Sequence, residues 1–219
     1  MQNTSALYNS IFASEHTTEY KVVIGSSNTT YDMSYITGLS TTHQVFDDGN
    51  PSIGNAISAQ IDLSLREFIT EPEKMAIIKP YVRLKNQNGT VSEWLQKGVF
   101  YIDTRKKDYS TGEITIHGYD ALLRGDKDIY TNDASYEEWP KSDIDCVTYL
   151  ASTFLDAELD SRTISLMTRE YEIPFPGYGD DAIQARSLLA YIAGMYGGNF
   201  VMSDTGQLRL IVLNNIPVR

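Results

Sequence analysis

Residues 57–66 constrain the fold more than any other stretch. Ile57, Ala59, Ile61, Leu63 and Leu65 alternate without a break against Ser58, Gln60, Asp62, Ser64 and Arg66. A period of two belongs to a strand with one buried and one wet face, and no helix satisfies it. The next apolar run puts Ile78, Val82 and Leu84 on one side and Tyr81 and Arg83 on the other. Asn88-Gly89 follows, a pair that tolerates positive φ and so marks a hairpin turn. Gly98 to Asp103 reads as a strand with bulky residues on both faces, and Ser110-Thr111-Gly112 turns it into Ile114-Thr115-Ile116-His117. The stretch 53–123 is therefore a compact antiparallel β unit, and the rest of the chain reads as entries and additions to it.

Upstream, Leu7, Tyr8, Ile11 and Phe12 have the spacing of a short helix face, and an N-terminal arm on a neighbouring subunit is an equally physical use of residues 1–19. Lys21 to Gly25 and Tyr35 to Thr41 read as strands, joined to the β unit by the loop Asp47-Asp48-Gly49-Asn50-Pro51. Downstream, the texture changes between Arg124 and Pro140, which is acidic and aperiodic, so a linker is expected over 126–140. Ser142 with Asp145 forms a weak capping box ahead of a helix over 143–156, whose stripe is Ile144, Val147, Leu150, Ala151, Phe154 and Leu155. A second helix, capped by Asp180 or Asp181, carries Ile183, Leu188, Leu189, Ile192 and Met195 and ends at Gly197-Gly198. A hairpin closes the chain around Asp204-Thr205-Gly206.

These elements predict an α+β, β-rich protein. An antiparallel, barrel- or sandwich-like domain over 20–125 precedes a smaller α+β domain over 141–219, with two helices and a hairpin.

The 219 residues suffice for a sizeable core, and 42% hydrophobic residues with 15 Tyr describe a folded chain. The charge of −11, from 29 acidic and 18 basic residues, repels phosphate backbones and argues against nucleic acid as a partner. An ordinary acidic protein has the same balance. The single Cys146 excludes an internal disulfide and a multi-cysteine zinc site, and it reads as an inert residue of the first helix. The first twenty residues lack the basic start and apolar run of a signal peptide, and no stretch approaches the roughly 20 apolar residues of a membrane span. The chain ends a few residues past its last strand, as a fragment or the N-terminal part of a longer protein would.

No motif makes a convincing catalytic centre. Tyr178-Gly179-Asp180-Asp181 spells a polymerase metal motif but leads into a helix, where such carboxylates serve as caps. Arg124-Gly125-Asp126 spells an adhesion tripeptide at a loop. Asp126, Asp128, Asn132 and Asp133 lack the spacing of a calcium loop. His16, His43 and His117 have no partner at ligand spacing, and no serine sits in a nucleophile elbow. No catalytic residue, metal ligand or cofactor is expected. The aromatic residues Tyr130, Tyr136, Trp139, Tyr171, Phe175 and Tyr178 sit in Pro- or Asp-rich connectors. They read either as pins holding loops onto their own domain or, as a set, as subunit contacts.

The ordered series that begins at Ser52-Ile53-Gly54 also carries a resemblance. Gly98, Phe100 and Ile102 match a G-x-F-x-I strand, and Tyr119, Asp120, Ala121 and Leu122 match the corner that follows it in phage tail hub and tail-associated proteins. The run YIAGMYGGNFVMSDTGQLRLIVL resembles the helix feeding a hairpin in the same family. The resemblance, spanning residues 50–213, implies a structural role in a virion or prophage tail. It implies a homotrimeric ring contacting tail tube and baseplate proteins, in a chain made in the host bacterial cytoplasm. Two other functions compete with it. One is a β-rich carbohydrate-binding or adhesion module that stacks sugars on Trp94, Trp139 and surface tyrosines. The other is a hydrolase, such as a tail lysin, whose catalytic part lies beyond residue 219.

Overall fold

The structure, a computed structural model, describes residues 3–46, 51–129, 138–177 and 183–213. The chain divides into two units, Met1–Thr42 with Gln60–Tyr119 and His43–Ala59 with Asp120–Arg219.

In the first unit, Ser5 caps α1 (Ala6–Phe12) by accepting the Tyr8 N–H at 3.0 Å. The helix buries only Ile11 and leaves Leu7 and Phe12 exposed. Three strands follow, β1 (His16–Ile24), β2 (Thr29–Tyr31) and β3 (Ile36–Thr42). The chain then enters the second unit, where it forms β4 (Asn55–Ala56). It returns as β5 (Gln60–Leu65), β6 (Ile77–Asn86), β7 (Leu95–Gln96), β8 (Phe100–Lys107) and β9 (Ile114–Tyr119).

The sheet runs β2-β1-β6-β8-β9-β5-β3 with β7 added on β6, and every pairing is antiparallel. Its inner face holds Val22, Ile24, Ile61, Leu63, Leu65, Ile78, Phe100 and Ile116, each at most 2% exposed. Alternation decides this face, since each neighbour along the strand points the other way. The expected hairpin at Asn88-Gly89 is present, with Gly89 at φ +83° and its N–H on the Asn86 carbonyl.

The fold class is the expected β-rich α+β, but no barrel closes. β2 and β3 are the two ends of one continuous ladder and are not paired. With only three residues, β2 offers little ladder for closure. The alternating run from Ile57 also crosses from one unit to the other. β5 starts only at Gln60, whereas the Ile57 N–H donates to the Phe200 carbonyl in the second unit.

In the second unit Asp120 caps a 3-10 turn, Ala121–Gly125. Residues 127–129 are tied to the start of the last helix, through the Ile129 N–H on Ile183 O and the Ala185 N–H on Lys127 O, both 3.0 Å. This part of the expected linker is thus held within the unit, while residues 130–137 lie outside the described residues. β10 (Lys141–Ser142) leads into α2 (Asp143–Leu150), whose Asp145 N–H bonds to Ser142 Oγ as the capping box predicts. The helical course continues to Leu155 as a π-helical turn and stops at Asp156, in the left-handed conformation. α3 (Ser161–Leu166) is an additional short helix, capped by Asp160. β11 (Glu172–Ile173) pairs antiparallel with β10.

α4 (Ala185–Met195) buries Ala185, Leu188, Leu189, Ile192 and Ala193. Its N-cap is Gln184, without a side-chain hydrogen bond, which displaces the expected aspartate cap. Asp180 and Asp181 lie outside the described residues. Gly197 takes φ +71° after the helix, and β12 (Gly198–Met202) pairs with β13 (Leu208–Val212). The expected hairpin is in fact a three-stranded sheet, because β4 adds to β12 in parallel.

Candidate functional site

The corner that carries the resemblance, Tyr119 to Leu122, is built on a buried carboxylate. Asp120 is 3% exposed and accepts the Ala59 N–H at 2.7 Å, the Ser58 hydroxyl at 2.8 Å and the Leu122 N–H at 2.9 Å. Its own N–H donates to the Ala59 carbonyl. Burial pushes its carboxyl up to about 6, against the opposing pull of these donors and of His43. One side chain therefore fastens residues 58–59 to the start of the 3-10 turn. An unmatched donor at such depth is expensive, which explains why the corner needs an acid.

A second buried polar group holds the other end of the inserted segment. Asn199, fully buried on β12, donates from Nδ2 to the carbonyls of Val45 and Ser52, both at 2.7 Å. Its Oδ1 accepts the Asn55 N–H. The corner motif marked Asp120 in the sequence, but Asn199 shows no such signal, because it is defined by partners far away along the chain.

Three of the predicted contact aromatics are described, and the structure brings two of them together. Trp139 stands edge-on to Phe175, with ring centroids 5.9 Å apart, and to Tyr149 at 6.2 Å. Lys141 Nζ lies 5.2 Å from the Trp139 ring and 5.0 Å from the Tyr149 ring. Tyr171 instead packs against Tyr196 at 5.8 Å. The Tyr196 hydroxyl donates to the buried Asp143 carboxylate and accepts the Arg169 N–H, while Arg169 also donates to Tyr171 Oη. Tyr130, Tyr136 and Tyr178 lie outside the described residues.

Trp139, Pro140, Glu172, Pro174 and Phe175 line an open depression of about 490 Å³. Tyr149, Lys141 and Tyr196, absent from the sequence expectation, complete these clusters. Tyr149 on α2, Lys141 on β10 and Tyr196 at the C-cap of α4 carry no connector signature.

On the first unit, Trp94 is covered by cations. Lys21 Nζ lies 4.6 Å, and the Arg83 guanidinium 4.4 Å, from its ring. Further along the sheet, His117 Nδ1 meets Asp62 Oδ1 at 2.7 Å beside an open depression of about 470 Å³. Among the described residues no three His, Cys, Asp or Glu side chains converge as a metal site. Arg124 pairs with Asp156 and Asp126 with Arg186, so both charges of the adhesion-like tripeptide are engaged within their own unit. Burial pushes the Cys146 thiol up to about 12, which leaves it protonated and unreactive. No helix among the described residues is long and apolar enough to cross a membrane.

No family model matches the sequence, and no curated protein does. Solved structures do match. The 43 kDa tail protein of prophage MuSo2 from Shewanella oneidensis superposes with a TM-score of 0.53 at 16% identity. The two chains share a fold. The match covers 90% of this chain and 56% of that one, so this chain spans little more than half the length of the tail protein.

Proposed function

We propose that this chain is a structural component of a phage or prophage tail, of the kind that joins the tail tube to tip or baseplate proteins. The observation that carries the proposal is the fold shared with a prophage tail protein across 90% of the chain. The order of strand, corner, helix and hairpin supports it independently, since those features suggested the same class from the residues alone. Its role is mechanical, with no catalytic step. Copies assemble head to tail into a ring, as a trimer, and meet different tail proteins on its two sides.

The carbohydrate-binding alternative loses one of its two tryptophans. Lys21 and Arg83 lie over the Trp94 ring, whereas Trp139, edge-on with Phe175 and Tyr149, still lines an open depression. Sugar stacking needs an open aromatic face.

Quantitative mass spectrometry of particles purified after induction of the source bacterium tests the proposal. The chain is expected with tail tube and baseplate subunits, at a low and fixed copy number. Absence from particles, with the chain present in cells, would overturn it.

A further inference from the structure

The two units share the chain's charge very unequally. The first contains ten Lys and Arg against eleven Asp and Glu, and the second eight against eighteen. Almost all of the net −11 thus belongs to the second unit, at −10 against −1.

Within the first unit, cations collect on one face of β1 and β6. Val22, Ile24, Ile78 and Leu84 point into the core. Alternation therefore turns Lys21 outward on β1 and Lys79, Arg83 and Lys85 outward on β6. The register sets Glu19 opposite Arg83 and Lys21 opposite Tyr81. Glu19 is the one carboxylate in these rows, and it serves two cations, Arg83 at 2.6 Å and Lys85 at 3.4 Å. The Arg83 hydrogen bond holds its carboxyl below the usual range and keeps it ionised, and four cations against this one carboxylate leave the face a surplus of positive charge. The Lys21 ammonium and the Arg83 guanidinium lie over the Trp94 ring, which positions these charged ends before any partner arrives.

Resting on the tail-assembly reading, we infer that this face of β1 and β6 docks a second copy of the chain through that copy's acidic second unit. Charge complementarity selects the occupant, because the same chain carries a net −10 on its other unit. Two different surfaces make the contact, so it is heterologous and builds a ring where the rotation closes. Side chains already packed on the sheet lose less entropy on docking than free ones. Nucleic acid fits less well. Base stacking requires an uncovered ring, and the cations cover Trp94. The overall charge also repels phosphate.

The test is sedimentation of the purified full chain in about 50 mM and about 500 mM salt, where screening differs strongly. Wild type is expected to self-associate at low salt and to dissociate at high salt. Lys21→Glu with Lys79→Glu should weaken association by roughly tenfold or more, and the milder Lys21→Gln with Lys79→Gln should fall between. Melting curves establish that both variants fold. A chain that stays monomeric at low salt, or associates with no response to either pair of changes, overturns the inference. Tight binding of a single-stranded oligonucleotide that the same changes abolish also overturns it. Presence in purified particles is read separately, so a failed docking surface and a failed tail assignment give different results.

Discussion

Asn199 accepts the Asn55 backbone N–H at 2.9 Å through its side-chain oxygen, across 144 residues of sequence. The same amide holds the carbonyls of Val45 and Ser52, so a single residue fixes both ends of the segment before β4. Asn199→Ala leaves these groups without that partner and should cost about 3 kcal/mol, read by urea denaturation. Asn199→Asp should be at least as damaging, because it turns an acceptor toward two carbonyl oxygens. A loss below about 0.5 kcal/mol for both would mean that the segment is held elsewhere.

Asp120 gives a pH signature. Burial raises its folded value to about 6, above the ordinary 3.8, so the folded state retains a proton that the unfolded state gives up. Its contribution is fully present below the unfolded value and is lost as pH rises through the folded one, a change of about 3 kcal/mol. Asp120→Asn removes this titration. The stability of wild type relative to the variant should therefore fall between about pH 4 and pH 7. A flat difference would place the carboxyl at its ordinary value.

The Tyr196 hydroxyl is bonded to Asp143, which is 1% exposed. Tyr196→Phe leaves that carboxylate short of a donor and should cost about 2–3 kcal/mol. Adding Asp143→Asn should recover part of the loss, because a neutral amide tolerates burial better. A double-variant cost equal to the sum of the Tyr196→Phe and Asp143→Asn costs, measured by denaturation, would show the two side chains to be uncoupled.

Gly118 on β9 pairs with Ile102 on β8, beside a register shift in that ladder. A Cβ there would stand 2.6 Å from the Tyr101 carbonyl oxygen and 3.2 Å from Ile61 Cγ2. Backbone cannot give way cheaply, so Gly118→Ala should lower stability by about 1–3 kcal/mol. An unchanged melting temperature would contradict that spacing.

Cys146 should report on unfolding. With the thiol buried and pushed up to about 12, a thiol reagent at about pH 8 should label the native chain only at the rate of opening. Immediate stoichiometric labelling without denaturant would show the α2 core to be open.

Much of the chain was determined locally. Alternation from Ile61 to Leu65 and at Ile114 and Ile116, the turns at Gly89 and Gly206 and the Ser142 cap each follow from backbone sterics and neighbouring side chains. Those signals were readable and placed the major strands and helices. Only the tertiary structure decided where residues 43–59 belong, since the alternating run reads continuously across Ala59 and Gln60 while the chain changes unit between them. It also decided that β4 joins β12 in parallel and that Trp139 meets Phe175 and Tyr149 while Tyr171 meets Tyr196. The physical reason is range. Periodicity and capping act over a few residues, whereas burial of Asp120 or Asn199 is tolerable only where partners some 60 to 150 residues away supply the missing hydrogen bonds.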